Sequence, residues 1–331
     1  MRIINLSDRS LETGWQSQLQ NAIRDPKDLA ETLCIDVEAI DSEFPLLVPE
    51  PFLNRMEVGN PRDPLLLQVL PVAAELLDRV GYSKDPVSEQ SKDGIRGLIQ
   101  KYRGRALIVA TGTCAVNCRY CFRRHYPYHL ARLSQEDWRA LFRHLKQDSS
   151  ISEVILSGGD PLMLNDRTLA SVFESLNQIP QIKTIRVHTR LPVVIPSRVT
   201  KELLSMVETS QKKVVFVTHI NHPNELDEAL TFSLQTLRTR GATLLNQSVL
   251  LREVNDQADT LAELSRKLFA AGVLPYYLHL LDPVQGAGHF DVEELRGKAL
   301  INKIASELPG YLVPKLAREV AGAPAKKVLI G

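Results

Sequence analysis

The chain has 331 residues, 44% of them hydrophobic, with 40 basic against 39 acidic side chains and a formal net charge of +1. That length holds one large domain with an extension, or two domains. The balanced charge gives no general reason to expect nucleic acid or an anionic membrane as partner. No apolar stretch approaches the roughly 18 residues of a spanning helix, and the opening Met-Arg-Ile-Ile-Asn-Leu-Ser-Asp lacks the apolar core of a signal peptide.

Residues 1–100 show no regular alternation of strand and helix. Trp15 to Arg24 reads as a short helix, and a second runs from Pro26 to Leu33 with Asp25 as N-cap and proline in the first turn. Pro45, Pro49, Pro51, Pro61, Pro64 and Pro71 then break the chain into short pieces. This part is expected to be a helical, loop-rich extension. Cys34 lies in it alone and reads as a small buried apolar residue.

From about residue 105 the pattern becomes strand, loop, helix, repeated. Strand-like runs fall at Ala106–Thr111, Glu153–Leu156, Thr184–His188, Val214–Thr218, Thr243–Leu250 and Tyr276–Leu281. Amphipathic segments of helical length lie between them, near 134–147, 166–178, 197–209, 224–240 and 257–271. Apolar runs alternating with helices predict a parallel α/β sheet. Six units are too few for an eight-fold closed barrel and suit an open, partial (β/α)6 barrel. In parallel α/β folds the site is built from loops that follow the strands.

Such a loop carries Cys114, Cys118 and Cys121, in Thr113-Cys-Ala-Val-Asn-Cys-Arg-Tyr-Cys121. Three thiolates closing on one point suit an iron–sulfur cluster. A [4Fe–4S] cluster held by three cysteines keeps one iron open for chemistry. Structural zinc is the competing reading, with His125 or Cys34 as a fourth ligand. An odd, clustered set argues against a disulfide framework. Reduced cysteines and an oxygen-sensitive cluster predict the cytoplasm.

CxxxCxxC resembles the signature of the radical S-adenosylmethionine (SAM) enzymes, in which the open iron chelates SAM. Tyr120 sits where that family has an aromatic residue near the adenine. Ser157-Gly158-Gly159-Asp160-Pro161, after the second strand, resembles the family's turn that holds the SAM amino group; alone it would read as a generic turn. Within the superfamily the chain is similar to the lysine 2,3-aminomutases, which combine SAM with pyridoxal phosphate (PLP). The likeness spans roughly 95–326. It is carried by Lys101-Tyr-Arg-Gly-Arg105, Cys121-Phe-Arg-Arg124, Val217-Thr-His-Ile-Asn-His-Pro-Asn-Glu225, Asn246-Gln-Ser-Val-Leu-Leu251, Tyr276-Tyr-Leu-His-Leu-Leu-Asp282 and Glu319-Val-Ala-Gly-Ala-Pro-Ala-Lys326. It is nearest to the short bacterial branch that makes β-lysine for elongation factor P. Gly310-Tyr-Leu-Val-Pro-Lys-Leu-Ala-Arg-Glu319 and the early stop carry that part of the match.

The resemblance implies roles. Lys326 falls on the lysine to which PLP is attached. Only Gly322 survives of its glycine-rich lead-in, and Lys327-Val328 follows it, so Lys327 is a possible substitute. Without the resemblance both would read as a basic tail. Lys101, Tyr102 and Arg105 fall on the PLP phosphate positions, and the planar fork of Arg105 suits a phosphate best. Arg123 falls on the arginine that clamps the substrate carboxylate, and Arg124 reads as a structural ion-pair residue. Asp282 and Glu319 fall on the two acids that take lysine's ammonium. Glu319 departs from the aspartate of the archetype. His219 and Gln247 fall near SAM, or simply cap strand ends.

The implied enzyme is an isomerase that moves the α-amino group of L-lysine to the β-carbon. An external electron donor would drive it, and its product would pass to elongation factor P and that factor's lysyl-transferring enzyme. A homo-oligomer is possible. An aminomutase for another amino acid, a non-catalytic iron–sulfur protein and an RNA-acting radical SAM enzyme are the other readings. The expected division is 1–100 extension, 101–290 core and 291–331 C-terminal PLP segment.

Overall fold

The structure, a computed structural model, describes residues 14–37, 40, 42–89, 94–127 and 132–329. Its frame is one sheet of nine strands in sequential order. These are β1 (Leu98–Ile99), β2 (Arg105–Thr111), β3 (Glu153–Gly158), β4 (Thr184–Thr189), β5 (Lys213–Thr218), β6 (Thr243–Val249), β7 (Leu274–His279), β8 (Lys315–Arg318) and β9 (Lys327–Val328). From β2 to β8 each strand is parallel to the next, and β1 and β9 pair antiparallel at the two ends.

All six strands expected from sequence form. The three missed are short: β1 and β9 have two residues each and β8 four, too few for any apolar period to show. One side-chain hydrogen bond links residues that flank the second and the eighth strand. Tyr102, just before β2, donates its hydroxyl hydrogen to Glu319, just after β8.

Among the described residues ten α-helices accompany the sheet: α1 (Trp15–Gln20), α2 (Pro26–Leu33), α3 (Glu50–Leu53), α4 (Gln135–Gln147), α5 (Asp166–Asn177), α6 (Leu191–Val194), α7 (Lys201–Thr209), α8 (Glu228–Thr239), α9 (Ala258–Ala270) and α10 (Glu294–Ala305). The cap of α2 is the expected one, with Asp25 accepting from the Lys27 amide at 2.8 Å. At α4, Ser134 and Asp137 cap each other's backbone amides, and the helix buries Leu141 and Leu145. α1 stops four residues earlier than expected. Ile23 instead bonds to Val48 through both backbone groups at 2.9 Å, and Arg24 folds back onto the carbonyls of Leu19, Gln20 and Ala22. Cys34 corrects its sequence reading: it is exposed, at the left-handed turn that ends α2.

The apolar-run rule holds for β3, buried throughout from Val154 to Gly158, and fails for β4 and β6. Those two alternate, because one of their faces looks into a cavity and carries Arg186, His188 and Gln247. The other face joins the main core, where Ile108, Leu156 and Val187 share one cluster with Trp15, Leu29, Phe52 and Leu66 of the N-terminal residues. Among the described residues no helix is long and apolar enough to cross a membrane.

Candidate active site

The cavity encloses about 310 Å³, within the usual range for a small-molecule site. Lys327, the possible substitute for Lys326, and the possible zinc ligands His125 and Cys34 do not line it, and the other residues given site roles above do. These are Cys114, Cys118, Cys121, Tyr120, Arg123, Gly158, Gly159, Asp160, His219, Gln247, Lys101, Tyr102, Arg105, Asp282, Glu319 and Lys326. The loop after β2 brings the cysteines to it, and the segment between β8 and β9 brings Glu319 and Lys326.

The cysteine loop is stapled to the glycine turn after β3. Gly159 N donates to Thr111 O and Asp160 N to Thr113 O, both at 2.8 Å. Only glycine permits this approach: a Cβ on Gly159 would lie 2.2 Å from Thr113 O, and one on Gly158, at φ +124°, 2.5 Å from Thr111 O. The Asp160 carboxylate is consumed in holding the turn. It accepts from the amides of Leu162 (3.0 Å), Arg190 (2.7 Å) and Leu191 (2.8 Å) and from the Thr189 hydroxyl (2.7 Å). Asp160 still lines the cavity beside the cysteine loop.

Behind the cysteines lies a buried polar network that the sequence did not announce. Arg190 donates to the Cys118 sulfur at 2.8 Å, to Gln68 at 2.7 Å, to Glu225 at 3.0 Å, and to the Tyr120 hydroxyl. Tyr120 stands edge-on to Phe290, ring centres 6.2 Å apart. On the other side Glu75 binds both Arg119 and Arg124, the latter at 2.6 Å, so Arg124 is a structural ion-pair residue as expected. Gln68 and Glu75 come from the N-terminal residues.

At the other end of the cavity charges alternate in a chain. Arg123 Nε donates to Glu89 at 2.6 Å, Glu89 faces Lys101 at 3.1 Å, Lys101 lies 3.9 Å from Glu319, and Glu319 binds Lys326 at 2.9 Å. Lys101 and Tyr102 are thus turned toward Glu319, while Arg105 stands apart, 3.8 Å from Glu153. Arg186 meets the same Glu153 and also lines the cavity. Lys327 lies on β9, exposed, away from the cavity lining.

Burial sets the charge states. It raises the Asp282 carboxyl to about 6, against the pull of Lys326 and with the push of Glu319 and Glu89. The Glu89 carboxyl stays below its ordinary value despite burial, because Arg123 and Lys101 flank it. Burial, then Arg190, Arg123 and Lys326, hold His219 down to about 3, so it is neutral; its Nε2 accepts from Gln247 at 2.8 Å. Burial likewise holds His188 and His279 neutral, and their Nε2 atoms have no protein partner.

Residues missed by sequence reasoning are Glu89, Arg186, Arg190, His188 and His279. Glu89 lies 34 positions from its partner Arg123, beyond any local pattern. Alternation of polar residues along β4 was the one available signal for Arg186 and His188.

The donor set fits a cluster. All four cysteines are free thiols. Burial together with the neighbouring thiols raises Cys114, and raises Cys121 to about 11, so their ionised forms need a cation beside them. No three described His, Cys, Asp or Glu side chains converge on a single metal ion. A cubane instead takes one thiolate on each of three irons. The other end fits PLP, with an amine at Lys326 and guanidinium groups at Arg105 and Arg186 on one cavity wall.

Residues 108–206 match the model of the radical SAM superfamily, and with the cysteine loop at the end of β2 they define a radical SAM enzyme on an α/β sheet. The chain is 46% identical over 321 residues to an L-lysine 2,3-aminomutase of Haemophilus influenzae, covering 95% of each chain. It is 46% identical to that of Escherichia coli over 99% of this chain and 97% of the relative. Against the enzyme of Clostridium subterminale it is 31% identical, over 94% of this chain and 76% of the relative. The chain belongs to the L-lysine 2,3-aminomutase family and is an isomerase. Its cofactors are those of the family: a [4Fe–4S] cluster, SAM and PLP.

Proposed function

We propose that the chain converts L-lysine to β-lysine by moving the α-amino group to the β-carbon, in the cytoplasm, and that the product modifies elongation factor P. One observation carries the chemistry: the Lys326 amine and the three cysteine thiols line a single cavity. When bound, the cluster and SAM supply a carbon-centred radical that removes a β-hydrogen, and PLP supplies the conjugation that lets nitrogen migrate.

In this reading the chain's own residues bind and orient. Arg123 takes the substrate carboxylate through its planar fork. Its neighbours Ser157 Oγ and Gly158 O, both at 3.1 Å, tie it to the turn beside the cysteines, so a substrate held there stands next to the radical source. Asp282 and Glu319 take the ε-ammonium. Lys326 offers the amine for PLP and is oriented by Glu319 at 2.9 Å. Arg105 and Arg186 receive the phosphate. Gly158 and Gly159 bring backbone close to the cluster loop, and Tyr120 walls the adenine side. His219 and Gln247, already bonded to each other, face the SAM side. Closure by side chains excludes water from the reacting centre.

Anaerobic protein reconstituted with iron, sulfide and PLP, given SAM, dithionite and L-lysine, is expected to form β-lysine. No β-lysine under those conditions sinks the reading, and equal turnover of glutamate overturns the choice of a cationic side chain. The link to elongation factor P rests on the likeness of 310–319 to the short bacterial branch. Its check is the mass of elongation factor P from a strain lacking this gene, which is expected to lose one lysyl-type addition.

A further inference from the structure

We infer that Glu89, outside every motif of the chain, is the positioning residue that sets Arg123 for the substrate's carboxylate. The inference rests on the reading of Arg123 as the carboxylate clamp. Glu89 belongs to a strap, 83–89, that the N-terminal residues lay across the cavity. The strap is pinned beside Asp282: Ser83 N donates to Pro283 O at 2.9 Å and Gln285 N to Ser83 O at 3.0 Å. From there it reaches across to the cysteine side. Val87 O accepts from Lys101 Nζ at 2.9 Å, and Glu89 accepts from Arg123 Nε at 2.6 Å and faces Lys101 at 3.1 Å. The strap therefore bridges the acid expected to hold the ammonium and the arginine expected to hold the carboxylate.

The contacts of Arg123 show what Glu89 does. Among the described residues three acceptors hold its guanidinium: Glu89 on Nε, Ser157 Oγ and Gly158 O on Nη1. Of these only Glu89 carries charge, and only Glu89 comes from outside the sheet and its loops. A guanidinium recognises a carboxylate bidentately only in one plane, so the group that sets the plane sets the affinity. Glu89 is not a stand-in that substrate displaces. Its side chain is 7% exposed, and leaving both cations would strand a buried carboxylate.

The test separates this from a structural role. PLP-loaded protein is titrated with L-lysine and with L-lysinamide, which lacks the carboxylate, and the change in PLP absorbance is read. Glu89→Gln is expected to weaken L-lysine about ten-fold or more and L-lysinamide less than two-fold, with Glu89→Asp restoring part of the loss. Equal weakening of both ligands, no weakening of either, or tighter L-lysine binding overturns the inference. Arg123→Lys is the control for the reading beneath it. If that variant loses the preference for L-lysine while Glu89→Gln keeps it, Glu89 alone is misassigned. If Arg123→Lys keeps the preference, the clamp itself is wrong.

Discussion

Arg190 Nη1 lies 2.8 Å from the sulfur of Cys118, and Nη2 of the same guanidinium lies 3.0 Å from Glu225. One buried cation thus joins a cluster thiol to a carboxylate with no exposed surface. Gln68 closes the network by accepting from Arg190 and from Asn221 Nδ2, the latter at 3.0 Å. A segment far away in sequence is thereby locked behind the cysteine loop.

Arg190→Ala leaves Glu225 buried without its cation. The expected cost is about 3–5 kcal/mol, the range for breaking one side of a buried pair. Arg190→Lys recovers little of it, because an ammonium cannot span Cys118, Gln68 and Glu225 together. Urea denaturation of the apo protein checks this. A loss below about 1 kcal/mol would mean that water replaces the guanidinium freely.

Gly159→Ala places a methyl 2.2 Å from Thr113 O, one residue before Cys114. The loop must shift, so iron retained after reconstitution is expected to fall well below half of wild type, while PLP absorbance persists. Full iron content in the variant would show that the staple between the two loops is slack.

Lys326 and Lys327 are neighbours with opposite environments, one in the cavity and paired to Glu319, the other exposed on β9. Lys326→Ala is expected to lose the visible band of bound PLP and at least about a thousand-fold in turnover. Lys327→Ala is expected to keep both. The opposite result would move the cofactor to the edge strand.

Asp282 gives the site a pH dependence of known sign. Burial raises its carboxyl from the ordinary 3.8 to about 6. Below that pH it is protonated and offers no charge to an ammonium. L-lysine affinity is expected to rise about ten-fold as pH passes from about 5 to about 7, and Asp282→Asn to flatten the curve. Stability of the ligand-free protein runs the other way. The folded state favours the protonated form, so this carboxyl's contribution is present below about pH 4 and is lost as pH rises through about 6. A ligand-affinity profile unaltered in Asp282→Asn would refute the assignment.

The order of elements was legible because it is written in local pattern. Helices α4, α5 and α9 fell within a residue or so of their amphipathic runs, and the six long strands followed from their apolar residues. The cysteine loop was legible because its spacing is covalent and short. The boundary of α1 was not, because the contact that ends it, Ile23 with Val48, lies 25 residues along the chain.

By itself the sequence determined the strand–helix alternation, the three thiols in one loop and the family those residues resemble. Only the tertiary structure decided that Glu89 and Gln68, from the N-terminal part, complete the surroundings of Arg123 and Cys118. Only it decided that the Asp160 carboxylate is consumed by backbone amides and that Lys326 turns into the cavity while Lys327 turns out. The physical reason is range. Propensity and periodicity act over a few residues, whereas a buried charge is satisfied by whichever opposite charge the fold brings within about 3 Å of it.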